Sequence, residues 1–397
     1  MTPDRSGDPN FPQGLRIQPS SLQRSASFGL KRIEQPQTAV NSTNRVIHAT
    51  ESASWDQDTA EDIHSYGIAG RIWEAAYLLA CYLRPANELS RQLEFDPSCS
   101  LFDTRADQHL TIVELGSGAG YGSLHLARQL VQHAESSFNK SPQATLVLTD
   151  LENVVPLMER NVARAGYNQA IDTIHVSVHP LAWGNQEHAN NLLAKLSTNQ
   201  SSPGSTRTPA NPLSHILCSD LVYFPELLPP LLRSIITLSG YGLTAQDAVS
   251  SSTTGPELIM SYKIRSLTKE QPFWSALGSW FDFQAVDCRS TTRKHTSHGT
   301  DDAGSDWHRF GSMGQDYGTT ADSDQELFVF VAHRRKETIG CLAPESDADL
   351  MMGKRLRPTN GVTENRGQEG TLELEAPCSG QDYFEWLLLS SMGAALD

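Results

Sequence analysis

Three carboxylates in this chain stand where a carboxylate can do chemistry. In TIVELGSGAG (Thr111 to Gly120), Glu114 comes two residues before Gly116, with Gly118 and Gly120 following. Ile112, Val113 and Leu115 are β-favouring residues suited to a short buried strand, and the glycines let the backbone turn tightly against a ligand without Cβ obstruction. Asp150 closes the next apolar run, ATLVLT (Ala144 to Thr149). A carboxylate at that place can accept hydrogen bonds from both hydroxyls of a ribose, or more plainly cap the helix that starts near Asn153. Asp220 lies in Ser219-Asp220-Leu221-Val222-Tyr223, where an Asp and a Tyr three apart, just past a strand, both reach the crevice in which such sheets hold ligands. The glycine pattern is GxGxG; the dinucleotide pattern GxGxxG needs glycine at Tyr121, and no Walker lysine is present. A nucleotide-like cofactor other than NAD or ATP fits best.

Positioning these groups takes alternating strands and helices. The order runs through a helix over Ile72 to Leu83, stopped by Pro85, and a first strand over Thr111 to Leu115. It continues with a helix over Tyr121 to Gln132, a strand over Ala144 to Thr149, a helix over Val154 to Gly166 and a strand over Thr173 to Val178. Further strands follow over Ser214 to Ser219, Glu257 to Tyr262 and Glu326 to Ala332, with a helix closed by Gly240 and another over Lys269 to Trp280. Strand, helix, strand in repetition gives an α/β fold with a mostly parallel sheet and helices on both faces. Ser-, Thr-, Gly- and Asp-rich stretches near residues 197–211, 244–255 and 289–323 read as flexible insertions. Residues 1–55 read as a disordered tail, 56–335 as the domain, and 336–397 as an acidic tail whose short amphipathic helix, Tyr383 to Leu389, docks on the domain or on a partner.

The formal net charge of -15 over 397 residues argues against direct nucleic-acid binding, which draws on clustered Lys and Arg. A basic protein partner is accommodated more easily. The six cysteines form no CxxC or Cys/His pattern, so neither a metal site nor a disulfide framework is expected. No stretch reaches the roughly 18 apolar residues of a membrane span, and no secretory signal opens the chain. The expectation is a cytoplasmic protein, with the nucleus a further compartment, and a monomer.

Glu114 with the glycine turn resembles motif I of the seven-strand methyltransferases. Together with IWEAAYLLACYL, LTD, the PLAWG at Pro180 to Gly184, SDLVY and the YKIR at Tyr262 to Arg265, residues 62–335 resemble, in order, the seven-strand lysine methyltransferases that modify chaperones and translation factors. These are methyltransferase family 16, formerly grouped as nicotinamide N-methyltransferase-like. The resemblance implies a Rossmann-like fold, S-adenosylmethionine as cofactor and a protein substrate presenting a lysine. It implies that Trp73 packs near the cofactor, Glu114 lies near its methionine end, Gly116, Ser117 and Gly118 form the turn beneath it, and Asp150 holds the ribose. Trp183 flanks the adenine, Ser219 lines the site, and Asp220 and Tyr223 position the substrate amine as the catalytic pair. Plainer readings stay open: Trp73 as core, Trp183 as a cap on the sheet edge, Arg265 as an anchor for an acidic substrate loop or an exposed structural residue. A small-molecule N-methyltransferase or a non-catalytic binding scaffold are the alternative functions.

Overall fold

The computed structural model describes residues 7–12, 14–20, 54–85, 93–103, 109–136, 143–168, 173–200, 211–244, 255–290, 307–312, 327–358 and 372–393. After α1 (Ala60–Tyr66) and α2 (Glu74–Tyr82) come β1 (Leu93–Asp96), β2 (His109–Leu115), α3 (Tyr121–Ser136), β3 (Gln143–Asp150), α4 (Val155–Arg164), β4 (Ile174–Pro180) and α5 (Gln186–Gln200). The chain continues through β5 (His215–Ser219), α6 (Leu228–Gly240), β6 (Glu257–Lys263), α7 (Leu267–Trp280), β7 (Phe281–Ala285), β8 (Asp287–Ser290), β9 (His308–Arg309) and β10 (Leu327–Arg334). Last come α8 (Asp347–Met351), β11 (Arg355–Pro358), β12 (Leu372–Glu375) and α9 (Tyr383–Gly393).

Seven strands form one sheet in the order β4-β3-β2-β5-β6-β10-β7. Each pairing from β4 to β6 is parallel, and β10 runs antiparallel to both of its neighbours. Strands buried on both faces need apolar residues at successive positions, and the sequence supplies them. Ile112 packs into the core on one side, with Leu79 and Leu124 of α2 and α3, while the next residue, Val113, packs on the other with Leu193 and Ile235 of α5 and α6. The chain winds outward from β2 to β4 and then returns to start β5 beside β2. That reversal opens a crevice at the carboxyl ends of β2 and β5, the place where sheets of this kind hold ligands.

Several expectations change. The seventh strand, β7, follows α7 with no intervening residue; Trp280 and Phe281 are both buried, so no turn residue marks the boundary. Part of the expected N-terminal tail is folded: Asn10 and Trp55 are buried. Parts of the expected acidic tail are structured, since α9 seats Phe384 against Trp274 with ring centroids 5.0 Å apart, while 359–371 and 394–397 lie outside the described residues. The 289–323 insertion contributes ordered pieces, the last residues of β8 at its start and β9 within it; β8 pairs with both β9 and β1. The first expected insertion starts too early, because 197–200 are the last turn of α5; residues 201–210, 245–254, 291–306 and 313–323 of the expected insertions lie outside the described residues, as do 1–6, 13 and 21–53 of the tail.

Candidate functional site

The glycine turn is built by hydrogen bonds across the ends of β2 and β3. Ser117 N–H donates to the Thr149 carbonyl at 2.9 Å, and the Thr149 and Ser117 hydroxyls both donate to the Glu114 carbonyl, at 2.7 and 3.1 Å. Thr149 N–H returns a bond to Ser117 Oγ at 3.0 Å. The Ser117 hydroxyl is thus committed to the turn itself. Gly116 and Gly118 sit at φ 56° and 51°, a region that strains any residue with a Cβ. Space forbids one as well: a Cβ on Gly116 would come 2.7 Å from Trp183 Cζ2, and one on Gly118 would come 2.8 Å from the Ala69 carbonyl oxygen.

Asp150 completes the turn. Its Oδ2 accepts from Gly118 N–H at 2.8 Å and its Oδ1 from Leu151 N–H at 2.7 Å. A carboxylate has about four acceptor positions, so each oxygen keeps one lone pair for a ligand. Burial pushes the Asp150 carboxyl up to about 6 despite these two bonds. Burial acts more strongly on Glu114, 1% exposed, whose carboxyl rises to about 7 although Ser123 N–H donates to it at 3.2 Å. Among the described residues no cationic side chain pairs with either carboxyl, and two such buried groups suit a ligand that brings hydroxyls and positive charge.

The other wall rises from β5. Asp220 is, among the described residues, the only non-glycine residue with positive φ, at 61°. That conformation turns its side chain toward the crevice while its N–H donates to the Ser261 carbonyl of β6 at 2.9 Å. Arg265, just after β6, grips both carboxylate oxygens of Asp220 with its two terminal nitrogens, Nη1 to Oδ1 at 2.8 Å and Nη2 to Oδ2 at 2.5 Å. Arg265 is therefore the counter-charge of Asp220, neither of the roles left open for it in the sequence. Its N–H bonds Glu270 Oε2 at 3.2 Å, which fixes the residue in place. The guanidinium also lies 5.4 Å from the ring of Trp73, which Arg71 approaches at 4.4 Å. Arg71 and Lys263 in turn pair with Glu74, at 2.7 and 3.3 Å. Tyr223 stands edge-on to Trp183, centroids 6.4 Å apart. Burial, reinforced by Asp150 and Asp220, pushes its phenol upward, so it is neutral at ordinary pH.

All ten expected site residues, Trp73, Glu114, Gly116, Ser117, Gly118, Asp150, Trp183, Ser219, Asp220 and Tyr223, line one pocket. Sequence reasoning missed other parts of its wall, among them Pro9 and Asn10 from the N-terminal segment, Ile68 and Ala69 between α1 and α2, and Arg71. Arg71 could have been found by asking what balances Glu74, three residues on. Pro9 and Asn10 carry no local signal of that kind. The pocket offers about 180 Å³ to the centre of a water-sized sphere, far more than one water requires.

A seven-strand sheet with one reversed strand, a glycine turn after β2 and an acid at the end of its neighbour β3 defines a Rossmann-like methyltransferase. The chain belongs to the lysine methyltransferase family, whose sequence model matches residues 54–279. S-adenosylmethionine is the methyl donor of such enzymes, and the glycine cradle, the free acceptor positions of Asp150 and the buried Glu114 fit it. A relative is the protein-lysine N-methyltransferase EFM6 of Saccharomyces cerevisiae, 25% identical over 207 residues, which cover 52% of this chain and 68% of that protein. Among solved structures, an O-methyltransferase family 2 protein from Planctomyces limnophilus in complex with apigenin matches at 11% identity and a TM-score of 0.25, over 50% of this chain and 41% of its own. Loganic acid methyltransferase with SAH matches at 11% identity and 0.26, over 55% and 65%. The chain thus spans less than two thirds of the length of these solved proteins. Among the described residues, no helix is long and apolar enough to cross a membrane, and no group of three or more His, Cys, Asp or Glu could hold a metal ion.

Proposed function

We propose that this chain transfers a methyl group from S-adenosylmethionine to the side-chain amine of a lysine in a cytosolic protein, such as a chaperone or translation factor. The observation that carries the reading is Asp220: a strained, buried carboxylate held bidentate by Arg265 on the wall facing the glycine turn and Asp150. Backbone strain that survives in a folded protein clusters at functional sites.

In this reading Asp150 accepts from the ribose, Gly116, Ser117 and Gly118 pass beneath the cofactor, and Trp183, Trp73 and Ser219 shape its walls. Glu114 balances the charge of its methionine end. The cofactor supplies an electrophilic methyl on a sulfonium; the protein must align the acceptor and present it as a neutral amine. A free lysine has a pKa of ~10.4, so deprotonating it at pH 7 costs roughly 4 to 5 kcal/mol. Removing the amine from water among Trp73, Trp183 and Tyr223 lowers that cost, because desolvation disfavours the ammonium. Arg265 works in the same direction. With its charge already balanced, Asp220 gains little by attracting a second cation, yet its oxygens keep lone pairs that can accept an amine N–H and aim the nitrogen. Tyr223, held protonated, lines the channel and takes no proton.

The net charge of -15 suits a substrate with a basic surface. Radiolabelled methyl transfer into cell lysate by the wild type and by Asp220→Ala tests the proposal. A labelled protein band, lysine-linked on hydrolysis and lost in the variant, is the expected result; label confined to small molecules would refute it.

A further inference from the structure

One stretch of the pocket wall lies outside the 54–279 segment that matches the family. Residues 8–11 cross the Asp150 side of the cavity, and Pro9 and Asn10 line it beside Asp150 and Leu151. The strap is anchored along its length. Asp8 accepts from Asn153 Nδ2 at 2.9 Å, just past Asp150, and from the Asn10 N–H at 2.9 Å. The Asn10 carbonyl accepts from Ile68 N–H at 2.9 Å. That approach requires Gly67, whose φ is 58° and whose missing Cβ would collide with the same carbonyl oxygen. Farther along, Ser20 donates its N–H and its hydroxyl to Asp58 at 2.9 and 2.6 Å, and Asp58 also accepts from Ile72 N–H at 3.2 Å, tying the segment to the start of α2.

The Asn10 side chain is the anomaly. The residue is only 8% exposed, yet its Nδ2 has no hydrogen-bond partner among the described residues. Buried polar atoms are nearly always bonded, and an exception calls for a missing partner. Both backbone groups of Asn10 are already bonded, its N–H to Asp8 within the strap and its carbonyl to Ile68 N–H, so the side chain is not needed to dock the strap, and the space it borders is the cavity.

We propose that Asn10 is a cofactor-binding residue, its Nδ2 donating a hydrogen bond to an acceptor atom on the nucleoside half of the bound methyl donor, which makes the strap part of the cofactor site. The inference rests on S-adenosylmethionine binding in this pocket. The nucleoside half is specified because the strap is pinned to the segment that follows Asp150, the residue read as the ribose acceptor.

The test is titration calorimetry of the full chain and its Asn10→Leu variant with S-adenosylmethionine and with 5′-methylthioadenosine, which lacks the amino-acid half. The expected result is a five- to twenty-fold weaker Kd for both compounds. Replacing an unpaired buried donor by an apolar group of similar shape does not weaken the fold, so the unliganded Tm is expected to be unchanged or raised. Asn10→Asp, with the same shape and no donor, is expected to lose at least as much affinity, and it serves if the leucine variant misfolds. Equal affinities in wild type and variants, or a loss seen with S-adenosylmethionine alone, overturn the proposal. A wild-type chain that binds neither compound overturns the cofactor assignment and the proposal together.

Discussion

With Glu114 placed beside the cofactor's methionine end, as proposed above, its burial makes cofactor binding depend on pH in a direction that can be worked out. Its carboxyl stands near 7, and that of Asp150 near 6. Below pH 7 the unliganded site therefore carries a proton on Glu114, and a cofactor with a positively charged methionine end must displace it. Affinity rises with pH until the proton is gone. For one such group at 7, the factor between pH 6 and pH 8 is about tenfold, and Asp150 adds about twofold over the same range. The folding equilibrium of the unliganded protein moves oppositely. A Glu whose folded-state pKa is raised from 4.5 to about 7 binds more protons folded than unfolded in that window. Its contribution to stability is present below 4.5 and is lost as pH rises toward 7.

Calorimetric Kd values at pH 6, 7 and 8, for the wild type and Glu114→Gln, check the reasoning, with melting curves of the unliganded proteins alongside. The wild type is expected to bind about twentyfold more tightly at pH 8 than at pH 6, and the Gln variant, weaker throughout, to keep only the twofold dependence of Asp150. Relative to Glu114→Gln, the unliganded wild type should lose Tm between pH 5 and 7. A wild-type affinity that is flat with pH, or the full wild-type slope surviving in the Gln variant, would refute the account of Glu114.

Three other perturbations read different parts of the site and its frame. Gly116→Ala forces a Cβ into the left-handed region and against Trp183 and Leu221; a stability loss of about 1–2 kcal/mol and at least tenfold weaker cofactor binding are expected, by melting and titration. Arg265→Ala leaves the Asp220 carboxylate, 1% exposed on its side chain, without its cation. A kcat reduced by more than tenfold with cofactor Kd within about threefold is expected in the methyl-transfer assay, and Arg265→Lys should not restore it, because lysine lacks the paired donors. Arg334→Met tests the frame. The buried guanidinium donates to the carbonyls of Ile236, Thr338 and Cys341 at 2.7, 3.1 and 3.0 Å, so β10 is tied through it to α6 and to the segment before α8. A loss of roughly 3 kcal/mol in denaturant unfolding, from acceptors left unmatched, is the expected outcome.

Much of the pocket's glycine-turn side was legible because its signals are local. Glu114, the glycines and Asp150 lie at strand ends, where an apolar run stops abruptly at a polar or glycine residue, and one residue's position then sets its neighbours'. Asp220 and Tyr223 were legible for the same reason. What held Asp220 was not: Arg265 lies on the adjacent strand's end, 45 residues away, and only the pairing of β5 with β6 brings them together. The β7 strand was hidden by a helix-to-strand junction lacking Gly, Pro or Asn, where propensity carries no boundary. Asn10 was hidden more thoroughly. Its surroundings are rich in Ser, Pro and Gln, as a disordered tail is, and the information that makes it a wall of the pocket resides in its partners: a glycine at 67 with no Cβ, an amide at Ile68 and Asn153. A short polar segment can be ordered without a hydrophobic core of its own when a surface already folded offers it matching donors, and such matching lies in the docking surface rather than in the segment's composition.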